Sequence, residues 1–217
     1  MKKLIFLVTL FWNFSIFAQE GSNYVLISSY SIAPGVSVPE LQQELLDYVR
    51  AEEERGFNSC SLYRHQFGAQ RAFYTYCYFS DYHHFAEIMD RPVNASGSNN
   101  IGDHSDNIVS MVHNNLEGFP NYLMHVTNTF GPYLTNAERM DRANTFFDFY
   151  DSTFGGCDML NHQWGPEIAV YFLCGFDDYH SFATAIDNID PAQLEIMQTT
   201  RLDVVEHSDD ILILIEK

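Results

Sequence analysis

The chain has 217 residues, enough for two compact units of about a hundred residues each, and it carries 29 acidic against 11 basic side chains, a formal charge of −18. That balance excludes nucleic acid and anionic lipid as partners, since both are gripped through basic contacts, and it weighs against polyanionic substrates. An aromatic content of 15% suits a packed core or a cavity lined with rings.

Residues 1–18 read as an export signal. Lys2 and Lys3 form a positive start, Leu4 to Phe17 an apolar core that is short for a bilayer span, and Ala18 a small residue before a cut at Gln19. An uncleaved anchor is the alternative, although no basic cluster follows the apolar run. Cleavage would leave 9 basic and 29 acidic residues, about −20, in a periplasmic or secreted protein with no further stretch fit to cross a membrane.

Tyr24 to Ile32 predicts a strand, closed by the turn Pro34-Gly35. Ser37-Val38-Pro39-Glu40 has capping-box spacing, and the helix it opens runs to Gly56 with Leu41, Leu45, Leu46 and Val49 on its apolar face. A hairpin follows, Asn58 to Phe67 with Arg71 to Phe79, then a second helix capped at Ser80-Asp81. The small polar run within Arg91 to Asp103 predicts a surface loop, and its Asn94-Ala95-Ser96 fits a glycosylation acceptor. Asn107 to His113 closes the unit as a strand.

The same grammar then repeats. Tyr122 to Phe130 predicts a strand, Gly131-Pro132 a turn, and Thr135 to Glu138 a capping box for a helix ending near Gly155-Gly156. Cys157 to Trp164 and Ile168 to Phe176 form the second hairpin, Asp177-Asp178 caps another helix, and Asp210 to Glu216 is the final strand. Phe57 to Asp90 lies on Phe154 to Asp187 at an offset of about 97, with roughly 15 of about 34 positions identical. We therefore divide the chain into the signal, a first unit at 19–117 and a second at 118–217. The order strand, helix, strand, strand, helix, strand is the split βαβ, or ferredoxin-like, motif.

The four cysteines fall one pair per unit. A two-residue hairpin centred on Gly68-Ala69 places Cys60 opposite Cys77, and one centred on Gly165-Pro166 places Cys157 opposite Cys174. A disulfide in each unit is expected in an oxidising compartment, with a thiol metal site or a catalytic cysteine as the alternatives.

The phrase Ile32-Ala33-Pro34-Gly35, the amphipathic helix ending at Gly56, the aromatic hairpin and the entry Phe79-Ser80-Asp81-Tyr82 resemble the dimeric α+β barrel superfamily, especially its antibiotic-biosynthesis-monooxygenase-like branch. The resemblance spans both units. It implies an α+β fold of tandem ferredoxin-like repeats whose antiparallel sheets close into an intramolecular barrel. It also implies a wide menu: oxygenases without a metal or organic cofactor, haem-degrading enzymes, isomerases, cyclases and proteins with no known chemistry. Function must therefore come from the site.

Strand alternation sorts each hairpin onto two faces. Cys60, Leu62, Phe73, Thr75, Cys77 and Phe79, with Cys157, Met159, Val170, Phe172, Cys174 and Phe176, form the drier face expected under the helices. The other face carries Tyr63, His65, Phe67, Tyr74 and Tyr76, then Leu160, His162, Trp164, Tyr171 and Leu173, a mixture of rings and titratable groups suited to a ligand cavity. The chemically capable pairs common to both units are His65/His162 and Tyr74/Tyr171, with imidazole as base and phenol as acid or anchor. Tyr63, Phe67, Tyr76 and Trp164 are expected to line the ligand. Matching His and Tyr residues can equally serve only to satisfy one another inside the fold.

His83 and His180 fall in first helical turns and are read as capping or packing residues; His104 and His207 are read as turn residues. No spacing points to a bound metal. Two functions follow: an exported enzyme that oxygenates or moves a proton on a small aromatic or enolisable molecule without a cofactor, or a non-catalytic exported protein that binds a small ligand, haem through His65 or His162 included. The chain acts as a monomer or a homo-oligomer, with a small molecule as its partner.

Overall fold

A computed structural model describes residues 21–68, 73–92 and 99–217. The export signal, the hairpin residues Ala69 to Ala72 and the Asn94-Ala95-Ser96 triplet lie outside the described residues.

The first six elements are β1 (Tyr24–Ile32), α1 (Val38–Arg55), β2 (Ser59–Phe67), β3 (Phe73–Phe79), α2 (Tyr82–Met89) and β4 (Ile101–Asn114). The same order follows in β5 (Tyr122–Phe130), α3 (Asn136–Phe154), β6 (Cys157–Trp164), β7 (Val170–Phe176), α4 (Tyr179–Asp187) and β8 (Val204–Glu216), with one addition, α5 (Pro191–Thr199), before the last strand. All strand pairs are antiparallel, and the eight strands close in the order β1-β3-β2-β8-β5-β7-β6-β4. The two halves meet along two joins, β2 with β8 and β4 with β6, so the sheet has no free edge.

Local chemistry sets the helix starts. The Ser37 amide and hydroxyl both donate to Glu40 Oε2, at 2.8 and 2.6 Å, and Thr135 does the same to Glu138 at 2.9 and 2.7 Å. Asp81 accepts from the amides of His83 and His84, and Asp178 from that of Ser181. Gly56, at φ +125°, ends α1 in a conformation that a side chain would strain.

Packing follows the predicted alternation. Leu41, Leu45 and Val49 of α1 cover Cys60, Leu62, Phe73, Cys77 and Phe79, while Phe146, Phe147 and Tyr150 of α3 cover Cys157, Met159, Val170, Phe172 and Cys174. Burying each of the large apolar side chains contributes roughly 1.5–3 kcal/mol. Both disulfides form as expected, Cys60–Cys77 and Cys157–Cys174, with Cα atoms 4.1 and 4.3 Å apart across directly paired positions. They fit an oxidising location.

Two expectations are corrected. β4 and β8 begin about six residues earlier than predicted, so His104 and His207 lie within strands rather than turns. The Ser105 hydroxyl meets Ser29 Oγ across the sheet at 2.9 Å, His104 stacks on Tyr30 and His207 hydrogen-bonds Asn128, while the carboxylates of Asp106 and Asp209 meet His104 and His207 on their own strands. The helix α5 carries an exposed Leu194 and Ile196 and no buried residue, so its amphipathic pattern is faint in sequence.

Candidate functional site

The inner face of the barrel has a packed end and an open end. At the packed end Tyr63 stands edge-on to Tyr76 with centroids 5.6 Å apart, Tyr63 Oη donates to the Pro120 carbonyl at 3.1 Å, and Tyr78 meets Phe119. Tyr63 and Tyr76 are thus barrel filling, buried beneath the cavity rather than lining it. The open end is a cavity of about 520 Å³, walled by Ile27, Ser29, Tyr74, Asn107, His125, Thr127, Glu167, Tyr171 and Asp210 among others.

Phe67 and Trp164 do not reach it. They are 72% and 66% exposed. Each hairpin carries one extra residue where it pairs with the other half: His65 and Phe67 sit opposite consecutive Leu212 and Ile211, and His162 and Trp164 opposite consecutive Val109 and Ile108. Gln66 and Gln163 are therefore bulged, and the side chains beyond them turn to the outside. Simple alternation had placed both rings inside. The glycines that follow allow the hairpins to lie against the opposite half: a Cβ at Gly68 would stand 2.4 Å from Asp210 Oδ1, and one at Gly165 2.4 Å from Asn107 Oδ1.

Asp210 is the hub of the site. It is 3% exposed and accepts the Tyr74 hydroxyl at 2.7 Å. His65 Nε2, which makes no hydrogen bond, lies 3.5 Å from Asp210 Oδ1, close enough for an ion pair on protonation. The sequence-predicted partners His65 and Tyr74 are thus brought together, with a carboxylate between them. His162 and Tyr171 are not linked in this way. The Tyr171 hydroxyl lies 3.3 Å from both the carbonyl and Oε2 of Glu167, and burial together with that carboxylate pushes its pKa up. Burial holds the His162 imidazole below its usual range, against a hydrogen bond to the Glu167 backbone, and its Nδ1 has no hydrogen bond.

The group that sequence reasoning missed is His125. It pairs directly with Asp210 across β5 and β8, and its ring centroid lies 5.1 Å from that of Tyr74 and 5.5 Å from that of Tyr171. Its Nδ1 is 2.6 Å from Tyr76 Oη. Desolvation lowers its pKa to about 4 despite the opposing pull of Asp210, so the ring is neutral at pH 7. Burial also keeps Tyr76 protonated. The place matching His125 in the first half, third after the strand-opening tyrosine, is Ile27, which faces Asn107 as His125 faces Asp210. A search for residues common to both halves passes over such a position. The available signal was a lone imidazole between Met124 and Val126 at an inward position of an apolar strand.

Three carboxylates, those of Asp210, Glu167 and Glu206, and no lysine or arginine stand among the described lining residues, a charge balance that disfavours haem propionates there. Among the described residues no group of three or more His, Cys, Asp or Glu is placed to hold a metal ion, and no helix is long and apolar enough to cross a membrane.

The architecture defines an α+β barrel of ferredoxin-like strand order with a cavity at one end of the barrel. Solved structures share it: two proteins named as putative monooxygenases, from Fusobacterium nucleatum subsp. nucleatum ATCC 25586 and from Lactobacillus acidophilus NCFM, and an anthrone oxidase-like protein. The first has a TM-score of 0.60 at 9% identity, covering 91% of this chain and 94% of its own. The second has 0.56 at 11%, covering 89% and 94%. The oxidase-like protein has 0.61 at 11%, covering 91% and 93%. No protein-family model and no curated protein matches the chain in sequence. At such identities the likeness establishes the fold.

Proposed function

We propose that the cavity takes a small aromatic or enolisable molecule and that Asp210, His65 and Tyr74 move a proton on it without a cofactor, the first step of an oxygenation or an isomerisation. The observation that carries this reading is the position of Asp210, which lines the cavity while touching both Tyr74 and His65. A proton lost by the bound molecule is taken at Asp210, with His65 Nε2 3.5 Å behind it to receive that proton in turn. Tyr171, kept protonated by burial, and the neutral ring of His125, the cross-strand neighbour of Asp210, also line the cavity, where a hydroxyl or imidazole N–H stabilises developing oxyanion charge. The resulting carbanion or enolate either reacts with dioxygen or is reprotonated at another atom. An enolisable ring ketone is the kind of compound the name of the anthrone oxidase-like protein points to.

Turnover of anthrone, followed by oxygen uptake and by solvent deuterium exchange at its acidic carbon, tests the proposal. Asp210→Asn and His65→Phe are each expected to lower the rate about 100-fold or more. Unchanged rates in both variants would overturn the catalytic reading.

A second reading has its own support. The hydroxyls of Tyr74 and Tyr171, which line the cavity, both have acceptors nearby, so these groups are satisfied without any proton being moved, as in a binding protein. Under either reading we propose that residues 1–18 are removed on export, that 19–117 and 118–217 are the two repeated units, and that the product is periplasmic or secreted. An intact-mass measurement of exported protein beginning at Gln19 tests the cleavage.

A further inference from the structure

His125 Nδ1 and Tyr76 Oη lie 2.6 Å apart, in residues that are only 3% and 1% exposed. A phenol has one proton to donate, and a neutral imidazole has one donor and one acceptor nitrogen, so the direction of this bond decides which nitrogen carries the ring proton. Burial keeps Tyr76 protonated, and its hydroxyl has no other hydrogen-bond partner among the described residues. Its neighbour Tyr63 donates elsewhere, to the Pro120 carbonyl. With the ring proton on Nδ1, the Tyr76 proton would be buried without an acceptor, which folded proteins avoid. Tyr76 therefore donates, Nδ1 accepts, and Nε2 holds the proton.

That second nitrogen is open to a ligand. Nε2 makes no hydrogen bond to any described residue, yet it is not sealed in the interior as His65 Nε2 and His162 Nδ1 are, and the ring lines the cavity. Desolvation keeps the ring neutral at pH 7, so the donor carries no net charge. The arrangement is built once: the positions matching Tyr76 and His125 in the other half are Leu173 and Ile27, which can form no such bond. A fixed N–H in a ring-lined cavity favours a ligand that brings an acceptor and disfavours one that leaves the donor unpaired.

We propose that Tyr76 is a positioning residue that holds the His125 proton on Nε2, and that this N–H selects enolisable ketones by accepting their carbonyl oxygen as its partner. The inference rests on the proton-transfer reading for its site: as the carbon beside the carbonyl loses its proton, the electron pair moves onto that oxygen, and the same donor holds the enolate.

Nitrogen NMR of the imidazole rings in the intact protein at pH 7.5 reads the tautomer. Titration with 2-tetralone, and with tetralin as the same ring body without a carbonyl, reads the selection. The His125 proton is expected on Nε2 with Nδ1 bare, and 2-tetralone is expected to bind about 10-fold tighter than tetralin and to shift the Nε2 signal. Tyr76→Phe removes the donor to Nδ1 and should bring the Nδ1–H form into the spectrum, with the ketone preference reduced to about 3-fold or less. His125→Gln keeps an N–H and should retain part of the preference, whereas His125→Leu should lose it while still binding tetralin. A wild-type proton on Nδ1, a result that needs no variant to fold, would overturn the role given to Tyr76, as would a Tyr76→Phe ring still wholly in the Nε2–H form. Equal binding of the two ligands, or binding of neither, would overturn the ketone selection. A ketone bound at Nε2–H that shows neither deuterium exchange nor oxygen uptake would overturn only the proton-transfer reading, and turnover with the His125 proton on Nδ1 would overturn only this proposal.

Discussion

The hydroxyl of Tyr74 donates to Asp210 at 2.7 Å, joining residues 136 positions apart in sequence and lying in opposite halves of the barrel. Removing the donor leaves a buried carboxylate short of one partner. Tyr74→Phe is therefore expected to cost about 1–3 kcal/mol in urea unfolding, because the lost bond satisfies a buried carboxyl group. In a cycle with Asp210→Asn the two losses should be less than additive, since both remove the same contact. Additive losses would show that the contact does not contribute to stability.

The buried imidazole makes stability depend on pH. The folded-state pKa of His125 is about 4, below the unfolded 6.5, so the unfolded chain binds the proton more readily. The stability that depends on a neutral His125 is complete above pH 6.5 and is lost as pH falls through that value toward 4, by about 3 kcal/mol across the window. The capping acids Glu40, Glu138, Asp81 and Asp178, whose pKa values are lowered by their hydrogen bonds, act with the same sign at lower pH. Comparison with His125→Gln isolates the histidine, and that variant should lose less stability between pH 7.5 and 4.5 than the wild type. Parallel curves for the two proteins would contradict the assignment.

Each disulfide links cysteines 17 positions apart. Replacing either pair by alanine is expected to lower the unfolding free energy by about 3 kcal/mol, mainly by freeing the unfolded chain. Mass spectrometry under denaturing conditions, before and after reduction, should show the gain of four hydrogens that two bridges require. A chain that gains none would contain free thiols, and the bridges would be refuted.

The bulges at Gln66 and Gln163 give opposite expectations for rings that alternation alone would treat alike. Phe67→Ser and Trp164→Ser should leave ligand affinity unchanged and shift stability by no more than about 0.5 kcal/mol, as exposed substitutions do. Tyr171→Phe should alter both, because that hydroxyl lies inside the cavity beside Glu167. A loss of affinity in the Trp164 variant would place its ring back in the site.

Much of the architecture was legible because it is written in short-range chemistry. Ser37 with Glu40 and Thr135 with Glu138 announce helix starts, and the hairpin register alone pairs the four cysteines. What escaped depends on contacts between the halves. A bulge is defined by the partner strand, which sequence spacing does not reveal, so Phe67 and Trp164 were assigned to the wrong side. Asp210 became visible as a site residue only once β8 lay beside β2 and β5, since the phrase around it suggests a turn. His125 escaped for the opposite reason: it is where the two halves differ.

That difference has a consequence for how such a barrel acquires chemistry. In an assembly of two identical chains, a change at one seat is imposed on its mirror image, and burying an imidazole against a carboxylate would have to be tolerated twice. Here the covalent link between the halves lifts that constraint: Ile27 faces Asn107 at one seat while His125 faces Asp210 at the other, so the buried imidazole is accommodated only once.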